Sequence, residues 1–133
     1  MAGFRRGHAP AKKQGESKRT RELRISLATH WPGSYWWKTA GSEFSVSGLP
    51  DLFGCVEGFL YGIEVKLDPS WFSDIQIKRL RQLTQAGACA GGVIWSKGQW
   101  MWINVEDMGH PGDRRRKNWI PFHEKDLPLY RSE

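Results

Sequence analysis

The sequence predicts an α/β fold, a mixed central sheet flanked by helices. Three observations carry that expectation: two segments with one-sided apolar spacing of helical period, two pairs of apolar runs each separated by two residues ending in glycine, and a helical segment lying between two such runs. A length of 133 residues suits one domain. The hydrophobic fraction of 39% and charged fraction of 26% are those of a globular protein and exclude collagen-like and coiled-coil chains. No apolar run approaches the roughly 20 residues of a membrane span, and the polar, Arg-bearing start is unlike a secretory signal.

Residues 1–16 lack apolar period and read as a basic, flexible arm, leaving 17–133 as a single domain with its core at about 20–105 and a C-terminal cover at 106–133. A first helix is expected to start near Ser17 or Thr20, to carry Leu23, Leu27, Ala28 and Trp31 on its buried side, and to stop at Pro32-Gly33. Residues 34–40 read as a strand and 41–48 as a loop. Runs 51–56 and 59–66 flank Glu57-Gly58, a strong hairpin signal, and 91–96 and 99–105 flank Lys97-Gly98. A second helix over 71–86, stopped by Gly87, makes 59–96 a βαβ crossover with parallel strands. Trp119 and Phe122 are expected to pack back as part of the cover.

The 20 Lys and Arg exceed the 14 Asp and Glu by six. Seven of the basic residues (Arg5, Arg6, Lys12, Lys13, Lys18, Arg19 and Arg21) and one acid, Glu16, precede Glu22, so the remainder balances at 13 of each sign. A neutral domain with a basic arm suits a phosphate-bearing partner, because neutralising phosphates releases counterions; a solvated tail is the plainer alternative. Arg114, Arg115, Arg116 and Lys117 form a second basic run, read as a solvated loop or a phosphate contact. Two cysteines, Cys55 and Cys89, without metal spacing point to free thiols in a reducing, intracellular setting. The four histidines lack zinc spacing, no nucleophile motif surrounds a Ser or Cys, and no glycine-rich nucleotide loop precedes a helix.

The first hairpin carries the chemistry. With Glu57-Gly58 as a two-residue turn, Val56 faces Phe59, and counting back puts Asp51 opposite Glu64. Strand alternation places Glu64 and Lys66 on the face of Leu60 and Gly62, away from Tyr61, Ile63 and Val65. Two acids facing each other across a ladder destabilise it, and a divalent cation bound by hard oxygen ligands removes the penalty. Such an ion polarises a phosphate and acidifies a bound water, with Lys66 placed to orient that water or to stabilise developing charge. Gln76 lies four residues from both Phe72 and Leu80, inside an apolar stripe where its amide needs partners.

The run Gly48-Leu49-Pro50-Asp51-Leu52, then Glu64-Val65-Lys66, then Gln76, resembles the PD-(D/E)XK nuclease superfamily over roughly residues 20–96. Within it the pattern is most similar to the virus-type replication-repair nucleases (VRR-NUC), with the archaeal-type Holliday-junction resolvases second. The resemblance implies a restriction-endonuclease-like αβββαβ core. It also implies Asp51 and Glu64 as ligands of Mg²⁺ (Mn²⁺ substituting), Lys66 as the water-positioning or charge-stabilising group, and Gln76 as a helper. An acid on the first helix is implied as well, and Glu22 fits its spacing, with Glu16 the second choice. Lys38 corresponds to a basic residue near the phosphate. The stretch after Trp95 has no counterpart.

The expected activity is metal-dependent phosphodiester hydrolysis in DNA by a homodimer, selective for junctions, flaps or nicks in replication, repair or recombination. DNA contacts are expected from Lys38, Lys12, Lys13, Lys18, Arg19, Arg21 and Arg114–Lys117. The alternative is a non-catalytic DNA-binding protein using the same arm and the strand aromatics, which needs no metal. Of the eight tryptophans, Trp36, Trp37, Trp95, Trp100 and Trp102 fall on expected strands. Core or dimer packing accounts for most of them, base stacking being their other use.

Overall fold

Two left-handed turns set the sheet. Glu57 and Gly58 have φ of 52° and 85°, and Lys97 and Gly98 have φ of 51° and 81°. Positive φ at both central residues is the type I′ geometry that matches strand twist, and glycine adopts it at little cost. The computed structural model of the chain describes residues 11–39, 48–67, 72–108, 119–125 and 127, with the backbone alone for 11–14. Six strands follow one another in chain order across one sheet: β1 (Tyr35–Lys38), β2 (Leu52–Val56), β3 (Phe59–Lys66), β4 (Cys89–Ser96), β5 (Gln99–Asn104) and β6 (Ile120–Phe122). Only β3 and β4 are parallel, joined across α2 (Asp74–Gln85); every other pair is antiparallel. The expected α/β class and the parallel crossover are both present.

The registers follow from the turns. Val56 pairs with Phe59 and Leu52 with Ile63, so continuing the ladder one step puts Asp51 level with Glu64. Alternation then splits the core. On one face Tyr61, Ile63 and Val65 of β3 join Trp36, Val93 and Trp102 beneath Leu23 and Leu27 of α1 (Ala11–His30). On the other, Ala90, Ile94 and Ile103 pack with Phe72, Met108 and Trp119 against Ile77 and Leu80 of α2. Cys55 is exposed and Cys89 is buried.

Three expectations need correction. The first helix begins at Ala11, so residues 11–16 are helical rather than a loose arm. Thr20 is 2% exposed and its hydroxyl donates to the Glu16 carbonyl one turn earlier, which makes it an interior residue rather than a cap. Ala28 is exposed, the helix instead being fixed at its end by Trp31 Nε1 and Ser26 Oγ, which donate to the carbonyl and carboxylate of Glu124 at 2.8 and 2.7 Å. The expected cover supplies a sixth strand: Phe122 stacks on Trp102 at 5.5 Å between ring centroids, and Trp119 on Phe72 at 6.1 Å. No helix among the described residues is long and apolar enough to cross a membrane.

Gly54 lies beneath the indole of Trp36, and a Cβ there would stand 2.1 Å from the ring. Gly54→Ala is therefore expected to lower stability by about 1–3 kcal/mol through overpacking, read from the midpoint of urea unfolding.

Candidate active site

Asp51 is fixed from three directions. Its carbonyl accepts the Thr39 N–H at 3.0 Å, and the Thr39 hydroxyl donates to the neighbouring Pro50 carbonyl. Gly48, at φ 83°, presses the preceding backbone against α2, where a Cβ would meet the Ile75 carbonyl oxygen at 2.9 Å. The Asp51 carboxylate itself turns to β3 and accepts the Val65 N–H at 2.9 Å.

Glu64 is 4% exposed and Lys66 stands two residues on, its Nζ 3.9 Å from the Glu64 carboxylate. Gln76 joins them. Its Nε2 donates to Glu64 Oε2 at 2.9 Å, while its Oε1 accepts from Lys66 Nζ at 3.3 Å and from the Ser73 N–H at 3.0 Å. The Gln76 N–H in turn donates to Ser73 Oγ, completing the capping box that opens α2. The ammonium of Lys66 also rests over the Phe72 ring at 5.3 Å.

Burial raises the pKa of Asp51, against the opposing pull of the Val65 N–H, a hydrogen bond from Glu64 and the charges of Lys66 and Lys38. Glu64 is raised well above the usual carboxylate range, first by burial, then by the Asp51 charge, with Lys66 opposing and Glu16 adding to the rise. The contact between the two carboxyls lowers the pKa of Asp51 and raises that of Glu64. A half-buried and a buried carboxyl held this close form a site that a dication completes by offsetting their mutual repulsion. Among the described residues no three His, Cys, Asp or Glu side chains close around one point. The pair therefore suits an ion such as Mg²⁺, which binds through one or two carboxylates and keeps several waters.

Of the two helix acids, the one that acts on Glu64 is Glu16. Gly15 beside it packs on Leu67, just beyond β3, so this end of α1 lies at the carboxyl end of the strand. Glu22 is six residues further, about 9 Å along the axis and about 120° around it. There it pairs with Arg19 at 2.7 Å, and the structure does not bring it to the carboxylate pair. Arg19 also lies 4.9 Å over the Trp95 ring, so its guanidinium holds α1 to β4. Lys38 is close enough for its charge to act on Asp51. Lys18 and Arg21 are exposed on α1, whereas the side chains of Lys12 and Lys13 and all of Arg114–Lys117 lie outside the described residues.

One basic surface escaped the sequence reading. Helix α2 carries Lys78, Arg79 and Arg81 against a single acid, Asp74. Lys78 and Arg81 line a groove of about 480 Å³ with Gln82, Gln85 and Met108. Its signal was a local charge excess, hidden when charge was summed over the whole domain.

Because the folded pKa of Glu64 lies above its value in the unfolded chain, the native state holds the extra proton between the two values. Stability of the metal-free protein should therefore fall as pH rises above the ordinary glutamate range. Thermal unfolding in EDTA between pH 4.5 and 8 should show the decline, and Glu64→Gln should flatten it.

No protein-family model matches the chain, and no curated protein matches it. Among solved structures, the fold is similar to that of Hjc, a Holliday junction resolvase from the archaeal hyperthermophile Archaeoglobus fulgidus. The TM-score is 0.58 at 19% sequence identity, over 85% of this chain and 92% of that one. The chain thus shares the fold of this resolvase, the second of the two families its motif residues resemble.

Proposed function

We propose that the chain is a metal-dependent DNA endonuclease of PD-(D/E)XK type that acts on branched or flapped DNA. The observation that carries this reading is the pairing of half-buried Asp51 with buried Glu64, tied through Gln76 to Lys66. The likeness in fold to a Holliday junction resolvase supports it. Asp51 and Glu64 hold Mg²⁺ or Mn²⁺, which when bound neutralises phosphate charge and acidifies a water. Water adds to the phosphorus, the bond to one sugar oxygen breaks, and that oxygen leaves with a proton. Lys66 stands beside the attacked phosphate, where its ammonium orients the water or offsets charge developing in the transition state. Gln76 positions Lys66 and Glu64 without contacting the reacting atoms, and Glu16 adds negative charge on the α1 side.

The DNA backbone follows Lys38, the exposed cations of α1 and the Lys78–Arg81 groove. A chain of this size covers little DNA, and a two-fold junction suits a homodimer that cuts both strands.

Cleavage of supercoiled plasmid, a flap and a synthetic four-way junction should require Mg²⁺ or Mn²⁺, stop in EDTA, and be lost in Lys66→Ala and Asp51→Asn. Binding without cutting under every metal would leave the non-catalytic DNA-binding alternative. Glu16→Gln should slow cutting at least tenfold while Glu22→Gln leaves it within about twofold; the reverse order would restore Glu22 as the helix acid. Lys78→Ala with Arg81→Ala should weaken binding at every sequence and flatten its salt dependence by about one to two in the log–log slope, measured by anisotropy between 50 and 200 mM salt.

A further inference from the structure

The face that carries Asp51 and Glu64 continues to the edge of the sheet as a row of aromatic rings. Trp37 pairs with Phe53, and Phe53 with Gly62, so all three share the face of the carboxylates. The rings of Trp37 and Phe53 stack at 5.7 Å between centroids and 19° between planes, and Tyr35 meets Trp37 at the same distance. Phe53 is buried, whereas Trp37 is 37% and Tyr35 70% exposed. These two large apolar side chains stand in solvent on β1, the sheet's edge strand.

Their place relative to the carboxylates narrows what they serve. Trp37 is one strand across and two residues along from Asp51, a backbone separation of about 8 Å. That equals two to three nucleotide rises of about 3.4 Å along one strand. Across Gly62 from Phe53 stands Leu83, which with Leu49, Arg79 and Gln82 lines a hollow of about 320 Å³, giving the face a cationic rim. Lys38 follows Trp37 in β1, with its charge acting on Asp51. A DNA strand whose phosphate lies at the carboxylates thus passes its neighbouring bases over the ledge. A second copy of the chain fits less well: two exposed rings of about 150–250 Å² each fall well short of the about 800 Å² per partner of a stable interface.

Resting on the nuclease reading above, we propose that Trp37 and Tyr35 form a stacking platform for an unpaired nucleobase of the bound DNA, and so select substrates with bases exposed at a branch. Every base offers a π face, so the platform reads pairing state rather than sequence. A fully paired duplex keeps its bases stacked on one another and gains nothing from it. Phe53 braces Trp37 from below, so little ring freedom is left to lose on binding.

The test uses the full chain in a Lys66→Ala background, with a flapped oligonucleotide carrying 2-aminopurine at the first unpaired position and a continuous duplex as control. Quenching of the 2-aminopurine on binding is expected with Trp37 present and lost in Trp37→Ala. Affinity for the flap should fall about five- to hundredfold, and that for the duplex less than twofold. Trp37→Phe, which keeps a flat ring, should restore most of the binding, and Tyr35→Ala should give a smaller loss. Equal losses on both DNAs, or no loss on either, would overturn the platform. So would a change from dimer to monomer in Trp37→Ala by sedimentation, which would assign the ledge to a second copy. The two proposals fail separately: quenching and flap preference in a chain that never cuts would retain the platform and remove the nuclease, whereas cutting indifferent to Trp37 would do the reverse.

Discussion

The amide of Gln76 is the contact on which the site depends, because it satisfies three requirements with one side chain. Its oxygen serves two donors, the Lys66 ammonium and the Ser73 N–H, and its nitrogen serves the Glu64 carboxylate. The same residue donates its backbone N–H to the Ser73 hydroxyl oxygen that starts α2. Helix initiation and the placement of Glu64 and Lys66 on β3 are thereby one event. The donor and acceptor ends of the amide are not interchangeable here: a carboxylate at position 76 would repel Glu64, and an apolar residue would leave Lys66 and Glu64 short of partners in a poorly hydrated site. Shifting α2 by one residue would carry the amide about 100° around the axis, away from both.

That network offsets part of a cost set elsewhere, at the tip of the β2–β3 hairpin. The I′ turn at Glu57-Gly58 fixes the ladder, and the ladder puts Asp51 level with Glu64 whether or not the two carboxyls repel. A slip by one residue would relieve the repulsion but would turn Tyr61, Ile63 and Val65 out of the α1 core. Core burial outweighs the local penalty, and the chain answers with the Val65 N–H, Lys66 and Gln76. Stability surrendered at a buried acid pair and held by the surrounding packing is characteristic of sites kept for chemistry.

Much of this was legible because the signals were local. Two glycine-ended turns gave the strand registers, and alternation along 59–66 divided Glu64 and Lys66 from the core side of β3. The helix acid was harder. Spacing to Asp51 favoured Glu22, yet stepping back from Leu27 and Leu23 along the buried side leads through Thr20 to Glu16. The assumed helix start at Ser17 or Thr20 cut that buried stripe short of Glu16. Strand β6 was missed for another reason: three residues, Ile120–Phe122, with a proline at the centre carry little strand signal, and the pairing rests on ring packing between Phe122 and Trp102. Trp37 and Trp36 are adjacent and chemically alike, and only the tertiary fold makes one a core residue and the other a ledge.

The position of the site follows from where the sheet changes character. From β1 to β3 and from β4 to β6 the neighbouring strands are antiparallel. Between β3 and β4 the pairing is parallel, so the chain must leave the carboxyl end of β3 and cross by a helix. That departure opens the sheet at Lys66 and brings the N-terminus of α2, with its positive end, beside the two carboxylates. Helix α1, lying on the opposite face, delivers Glu16 to the same end. In open α/β sheets ligands gather outside the carboxyl ends of parallel strands for this reason. A single parallel pair is enough to set Glu64, Lys66 and Gln76 together on the crossover, with Asp51 supplied from the entrance of the neighbouring β2.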